Sequence, residues 1–249
     1  IKRIAHTRRL ERENEYLRTE AGLGSPSQVV GDSRSMQELL RTAERVAGSK
    51  GTVLITGESG TGKGVFARLL HERSGRRERP FLSVNCAAIP DQLLESEFFG
   101  HTKGAFTGAH RTRKGLFLEA DRGTLFLDEI DEVPLYMQTK LLHAIEDKEI
   151  RPVGSEQLRR VDTRIIVASN RDLPELVGAG KFREDLYFRL SMFQIVMPPL
   201  RERAGDIRGL IQIFLHANDA AKRSSSATTL DAEAEAILVR HAWPGNVRE

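Results

Sequence analysis

The sequence is poor in cysteine, and it has no long apolar run. Cys86 is the single cysteine among 249 residues, which excludes an internal disulfide and fits a reducing compartment. Neither Asn85 nor Ala87 supplies the base that a catalytic thiol needs, so Cys86 is expected to be a small core residue. No segment approaches the roughly 18 apolar residues of a membrane helix, and the basic N-terminus lacks a signal-peptide core. These absences predict a cytoplasmic protein without a membrane partner.

An excess of charge of either sign is also missing. The net charge is +3, which is too balanced to argue for a nucleic-acid-binding surface by itself. Hydrophobic residues make up 39% and charged residues 29% of the chain, a composition typical of globular proteins. The length allows one large domain, or one domain with a small lid.

The first 20 residues form a charged segment without proline or glycine. Leu10, Asn14 and Leu17 are spaced by four and three residues, and asparagine at such a position can fix the register of paired helices. Two interpretations stay open: a solvated or frayed helix, and a dimerising linker after an upstream domain. The Gly- and Ser-containing stretch 21–27 then breaks the pattern, so we assign 1–24 to a linker.

From residue 25 to about 200, short apolar runs alternate with amphipathic segments. The runs bounded by turn residues are expected to be buried parallel strands, at 52–56, 81–84, 124–127 and 164–168. Helical spacing occurs at 35–47, 63–73, 135–148 and 185–190, and later at 206–223 and 231–241. The expected fold is therefore a doubly wound parallel α/β sheet over 25–200, followed by a small all-α lid over 201–249.

A glycine-rich loop follows the first expected strand and precedes a helix. Its spacing, two glycines five apart with Lys63 after the second, is the Walker A pattern in the context that the motif requires. Backbone N–H groups of such a loop surround phosphate oxygens, and the lysine reaches the β- and γ-phosphates of ATP. The residue after the lysine is usually Ser or Thr, which binds Mg²⁺, but here it is Gly64. The nucleotide-binding candidates in this loop are Gly57, Glu58, Ser59, Gly60, Thr61, Gly62, Lys63 and Gly64.

Two carboxylates end the strand expected at 124–127. Asp128 and Glu129 follow the four strand residues 124–127, which is a Walker B pattern. Asp128 is expected to hold Mg²⁺ through water, and Glu129 to polarise the water that attacks the γ-phosphate. The alternative is an acidic pair that favours the start of the next helix; the Walker A loop makes the catalytic interpretation the better one.

The chain resembles the central AAA+ domain of the sigma-54-dependent transcriptional activators over about 25–249. The most specific match is Gly104-Ala-Phe-Thr-Gly-Ala109, which lies within the longer matching segment Glu97–Ala109; Phe81–Pro90, Leu127–Ile130 and Pro199–Arg203 also agree. In this family the Gly104–Ala109 loop contacts sigma-54. The resemblance therefore implies sigma-54 contacts at Gly104, Ala105, Phe106, Thr107, Gly108 and Ala109.

The same resemblance assigns further residues to the ATP site. It implies that Asn170 senses the γ-phosphate and that Arg183 and Arg189 are arginine fingers for a neighbouring subunit, although spacing alone fits two surface arginines equally. Arg248 would reach the nucleotide from the lid, and Val30 would join the nucleotide site. Asn85 matches an asparagine that restrains the catalytic Glu129, but its sequence context favours a simple turn residue.

The implied activity is that of a ring motor, hexameric or heptameric, with ATP and Mg²⁺ between subunits. It would remodel the closed complex of sigma-54 RNA polymerase holoenzyme, aided by a companion loop near 151–164. The family usually adds a regulatory domain, often of a two-component system, and a C-terminal DNA-binding domain; neither is present in this sequence, and the linker could hold an inactive dimer. Two alternatives remain: an AAA+ ATPase that remodels a different protein, and a nucleotide-gated oligomerisation module that does not hydrolyse ATP.

Overall fold

The computed structural model describes residues 31–222 and 230–249, with the side chains of 31–216 and 230–249. The expectations for residues 1–24 and for Val30 lie outside this part of the chain. Its strands are β1 (Val53–Thr56), β2 (Phe81–Asn85), β3 (Gly100–His101), β4 (Arg113–Lys114), β5 (Thr124–Asp128), β6 (Glu149–Ile150), β7 (Arg159–Arg160), β8 (Arg164–Ser169) and β9 (Phe193–Val196). Its α-helices are α1 (Arg34–Ala47), α2 (Lys63–Glu72), α3 (Asp91–Phe99), α4 (Leu116–Glu119), α5 (Leu135–Glu146), α6 (Leu173–Gly178), α7 (Glu184–Leu190), α8 (Ile207–Lys222) and α9 (Ala232–Arg240).

Five parallel strands form the central sheet in the order β2-β5-β8-β1-β9. Side chains alternate between its two faces, so that Leu125 and Leu127 join one core while Phe126 joins the other. Met36 of α1 and Phe66 of α2 cover the second face, and the larger core on the first face includes residues of α3, α4, α5 and α7. The expected doubly wound α/β sheet is confirmed.

One strand of this sheet was missed by the sequence analysis. In β9, Phe193–Val196, only Ile195 is buried, and Gln194 and Val196 are exposed. The strand lies at the edge of the sheet beside β1, where fewer neighbours cover it. It therefore lacks the continuous apolar run that identifies a central parallel strand.

Two small antiparallel pairs project from the main sheet. β3 pairs with β4 across the Gly104–Ala109 loop, and β6 pairs with β7 across 151–158. The expected single loop over 151–164 is therefore wrong in its bounds, because β7 and the first residue of β8 fall inside it. After β9, α8 and α9 form the helical lid region, and none of the helices in the described ranges is long and apolar enough to span a membrane.

Candidate nucleotide site

The phosphate-binding loop begins at the carboxyl end of β1 and ends at the first turn of α2. Gly57, Gly60 and Gly62 all have positive φ angles, of 145°, 79° and 96°. A Cβ atom at Gly60 would lie 2.2 Å from the carbonyl oxygen of Gly245, so the close approach of the C-terminal segment also requires glycine there. The loop thus presents backbone N–H groups at a helix N-terminus, an arrangement suited to phosphate.

Lys63 lies at the start of α2, with its ammonium group turned back over the loop. Its Nζ donates hydrogen bonds to the carbonyl oxygens of Gly57 (2.7 Å) and Glu58 (2.9 Å). Burial lowers the pKa of Lys63, and the negative charge of Asp128 opposes that shift. Since an ammonium group has three donors, one remains for a phosphate oxygen.

The two carboxylates of the Walker B segment occupy the end of β5. Burial raises the pKa of Asp128, while the hydrogen bond from the Glu129 N–H (3.0 Å to Asp128 Oδ1) and the charge of Lys63 oppose this. Glu129 has a φ of 54°, an uncommon left-handed conformation for a side chain of this kind. An uncommon backbone conformation at the end of a strand is a feature often found at functional sites.

Gly64 supplies no hydroxyl group to a metal ion, so any metal ligand must come from another residue of the site. A Cβ atom at Gly64 would have the ring of Phe126 as its nearest neighbour, at 3.7 Å, so the missing side chain is not forced by crowding. Asp128 still provides a half-buried carboxylate oxygen not used by Glu129. Oxygen ligands with several retained waters suit Mg²⁺, and these residues therefore fit an Mg²⁺ ion held by Asp128 through water.

The two asparagines near the site differ in their contacts. Asn170 directly follows β8 and lines the cleft beside Ser59 and Arg248, and its role as a γ-phosphate sensor stays a prediction. Asn85 lies opposite Asp128 in the register of β2 and β5, but its Oδ1 accepts a hydrogen bond from Ala87 N–H (2.9 Å). Among the described residues no hydrogen bond joins Asn85 to Glu129, so the turn-residue interpretation describes its contacts here.

The lid region reaches the phosphate loop through its last residues. Arg248 Nη1 donates to Ser59 Oγ (2.9 Å), and Asn246 Nδ2 donates to Ser59 O (3.0 Å) and Glu58 Oε2 (3.1 Å). Arg201 completes the contact as a two-bond ion pair with Glu58, and its guanidinium group, with Asn246, lowers the pKa of Glu58 to about 2. An open cleft of about 760 Å³ lies between these elements and Asn170.

Three residues of this contact were missed by the sequence analysis as site residues: Arg201, Arg203 and Asn246. Arg203 is buried and donates from Nη2 to the Thr61 carbonyl oxygen (2.7 Å). Asn246 has a φ of 54° and is fully buried. The available signal was their position: Arg201 and Arg203 lie inside Pro199–Arg203, and Asn246 lies two residues before Arg248.

The two expected arginine fingers lie on α7 and just before it. Arg183 is the N-cap residue of the helix and pairs with Asp185 through Nε (3.0 Å) and Nη2 (2.6 Å). Arg189 is partly buried, and its Nε has no hydrogen-bond partner within the part of the chain that the structure describes. Neither arginine lines the cleft beside Ser59, which is consistent with groups that do not act on their own subunit's nucleotide.

The Gly104–Ala109 loop forms a compact, exposed tip between β3 and β4. Gly104 N–H donates to Ala109 O (2.9 Å), and Ala109 N–H donates to Phe106 O (3.0 Å). Phe106 and Thr107 are exposed at the tip, whereas Ala109 is buried at its base. Gly104 and Gly108 have positive φ angles, so the hydrogen-bonded turns depend on residues that adopt that conformation readily.

The tip is connected to the nucleotide site through α3. This helix starts after the turn that follows Asn85, and it ends at β3. Tyr136 Oη donates to Asp91 O (2.8 Å), and Lys140 pairs with Glu95 (2.5 Å). Both contacts join α3 to α5, the helix that follows the Walker B turn, so the base of the loop is attached to the segment carrying Glu129.

Comparisons with known proteins agree with this arrangement. Residues 29–196 match the Sigma-54 interaction domain, and residues 201–249 match the AAA+ ATPase lid domain. The chain is 52% identical over 221 residues to the transcriptional regulatory protein ZraR of Klebsiella oxytoca, covering 89% of this chain and 50% of ZraR. It is 51% identical over 215 residues to the transcriptional regulatory protein FlbD of Caulobacter vibrioides, covering 86% of this chain and 47% of FlbD.

A solved structure resembles nearly the whole chain. NtrX from Brucella abortus, crystallised in complex with ADP, superimposes with a TM-score of 0.81 at 34% identity, covering 99% of this chain and 53% of NtrX. The chain thus spans about half the length of the regulators it matches. The shared part includes both the phosphate loop and the lid contact described above.

Proposed function

Because this chain belongs to the sigma-54 interaction domain family of AAA+ ATPases, we propose that it is the ATP-driven motor of a sigma-54-dependent activator. It hydrolyses ATP at interfaces of a homo-oligomeric ring and remodels sigma-54 RNA polymerase holoenzyme at closed promoters. The observation that carries this proposal is the intact Gly104–Ala109 loop, exposed at its tip and attached through α3 to the Walker B segment.

The residues of the site divide the chemistry between them. The phosphate loop and Lys63 bind and orient the phosphates, and Glu129 accepts the proton of the attacking water. Asp128 would hold Mg²⁺ through water, and the ion would neutralise charge on the phosphate oxygens. Arg183 or Arg189 of the adjacent subunit stabilises the charge that develops in the transition state, where an arginine supplied in trans contributes about 10³–10⁵-fold in other systems.

Mechanical output follows from the attachment of α3. A change at the γ-phosphate alters the Walker B turn, and the contacts between α3 and α5 transmit that change to the Gly104–Ala109 loop. The loop then presents Phe106 and Thr107 to sigma-54. The DNA contacts of the activator are assigned to a separate C-terminal domain.

The test separates ATP hydrolysis from remodelling. Thr107→Ala is expected to hydrolyse ATP while losing at least about tenfold in promoter opening by sigma-54 polymerase, because only the contact made at the tip is removed. His110→Ala, which changes an exposed side chain directly after the loop, is the matched control. Normal promoter opening by Thr107→Ala would contradict the proposed contact. If the wild-type protein stimulates promoter opening only by a polymerase that lacks sigma-54, a different protein partner is favoured.

A further inference from the structure

His101, in β3 at the base of the Gly104–Ala109 loop, has a packed and hydrogen-bonded side chain. Its residue surface is only 8% exposed. Nδ1 of His101 and Oγ of Ser96 lie 2.6 Å apart and share a hydrogen bond, and Ser96 is itself buried in α3. The imidazole ring is therefore fixed to α3, the helix that connects the loop to the nucleotide site.

The ring of His101 contacts the aromatic tip of the loop. Its centroid lies 5.0 Å from that of Phe106, and the two rings meet at 64° in a T-shaped pair. Phe106 keeps 41% of its surface exposed, so one part of the ring faces solvent while another packs on the histidine. Such aromatic pairs are favourable beyond the area that they bury.

The companion loop closes over the same base. Val153 forms an isolated bridge with His101, and Val153 O accepts hydrogen bonds from Thr102 N–H (3.0 Å) and Thr102 Oγ1 (3.3 Å). At Gly154 a Cβ atom would lie 2.7 Å from Ala105 Cβ. The two loops therefore contact each other through backbone atoms beside His101, and neither loop can be displaced without changing this contact.

We propose that His101 is a positioning residue that holds Phe106 against the body of the domain through its bond to Ser96. A phenyl ring packed on the imidazole cannot at the same time insert its whole surface into a partner, so a partner that encloses the whole ring requires this contact to break. His101 thereby sets how readily the tip is released. The identity of the partner as sigma-54 rests on the proposed function, whereas the contact itself does not.

Trypsin cleavage measures release of the tip without any partner. Lys103 and Arg111 are exposed and flank the loop, and the cleavage rate follows the open population when opening is fast. His101→Ala removes both contacts, and cleavage at these sites should rise roughly tenfold. Ser96→Ala keeps the ring and His101→Phe keeps an aromatic contact, so each should give a smaller rise of about threefold. His110→Ala, an exposed histidine in the same segment, should cleave at the wild-type rate.

Capture of purified sigma-54 provides a second readout. Capture is measured without nucleotide and with a transition-state nucleotide analogue, and the first amount is divided by the second. This ratio should be at least about threefold higher in His101→Ala than in wild type, and Ser96→Ala and His101→Phe should give intermediate values. Cleavage rates of all three variants within about twofold of wild type would overturn the proposal.

The outcomes also separate the two hypotheses. If neither wild type nor any variant captures sigma-54 in any nucleotide state, the proposed function fails, and the trypsin rates alone still decide the role of His101. If circular dichroism shows that His101→Ala does not fold, the trypsin cleavage rates of Ser96→Ala and His101→Phe relative to wild type test the role of His101 instead.

Discussion

At the scale of single residues, Gly64 is the clearest departure from the usual phosphate loop. Its position in the first turn of α2 has space for a side chain, because the atom nearest to a Cβ placed there would be a Phe126 ring carbon at 3.7 Å. Glycine therefore costs helix stability there without being required by packing. In the proposed site, Mg²⁺ would be held by Asp128, water and the phosphates alone, which makes its binding the weakest part of the proposed chemistry.

Two substitutions at this position separate the hydroxyl group from the backbone effect. Gly64→Ala should raise the free energy of unfolding by about 0.5–1 kcal/mol, since alanine is the better helix former, and leave the Mg²⁺ dependence of ATP hydrolysis unchanged. Gly64→Ser adds a metal ligand and should lower the Mg²⁺ concentration for half-maximal hydrolysis severalfold. Mg²⁺ titrations of the three proteins check this, and an equal midpoint for Ser and Ala would argue against a metal at this position.

The sequence was most informative for residues whose role depends on local backbone. Lys63 and Asp128 were predicted from spacing within one strand–loop–helix unit, and the structure places both at the carboxyl edge of the sheet. Asn246 was not predicted, because its side chain bonds to Ser59, a residue 187 positions away. Contacts of that kind depend on the closed fold and leave no periodic pattern.

At the scale of secondary-structure elements, burial explains which strands could be predicted. β8 is buried at every position and gives a continuous apolar run between its two polar ends, Arg164 and Ser169. β9 has one buried residue and was missed, and α3 was missed because its apolar residues do not form a distinct stripe. Strand ends were predicted one residue short at Asn85 and Asp128, since a polar side chain interrupts the apolar run at each of these ends.

Arg164 joins two elements that are far apart in sequence. Its guanidinium group is almost fully buried and donates from Nη1 to Ala47 O and from Nη2 to Val46 O, both at 2.9 Å. These carbonyl groups end α1, where a cation also interacts favourably with the helix dipole. The first residue of β8 thus adds a second cap to the end of α1, where Ser49 N–H already donates to Val46 O (3.0 Å).

Arg164→Met is expected to lower the free energy of unfolding by about 2–4 kcal/mol, because it removes two hydrogen bonds from a charged donor to buried carbonyl groups. Arg164→Lys retains the charge but not the planar fork, so a loss of about 1–2 kcal/mol is expected. Arg160→Met, which removes an exposed ion pair with Glu149, is the control and should change stability by less than about 0.5 kcal/mol. Equal urea midpoints for the Arg164 and Arg160 variants would show that the buried cap contributes nothing.

At the scale of the whole molecule, the contact between the lid region and the phosphate loop depends on the charge of Glu58. Arg201 and Asn246 lower its pKa from the ordinary 4.5 to about 2. Since the folded pKa lies below the unfolded one, the stabilisation is complete above about pH 4.5 and is lost as pH falls towards 2. The difference in thermal midpoint between wild type and Glu58→Gln should therefore be largest near pH 6 and shrink steadily below pH 4.5. If the difference in thermal midpoint stays constant from pH 6 to pH 3, the negative charge of Glu58 does not contribute to stability.

The strongest consequence of the proposed ring, in which neighbouring subunits share each ATP site, is complementation between inactive subunits. Arg183→Ala keeps its own phosphate loop and Glu129 but lacks the group proposed to act on its neighbour, whereas Glu129→Gln has the opposite defect. In a random equal mixture, roughly a quarter of the head-to-tail interfaces would combine an intact Glu129 with an intact Arg183, so ATP hydrolysis should recover to about that fraction of wild type. Glu129→Gln mixed with Lys63→Ala is the matched control, because both changes damage the same side of every interface and no recovery is possible. If the first mixture stays as inactive as the control, Arg183 does not act across subunits. The same experiment with Arg189→Ala then decides whether the second arginine has that role.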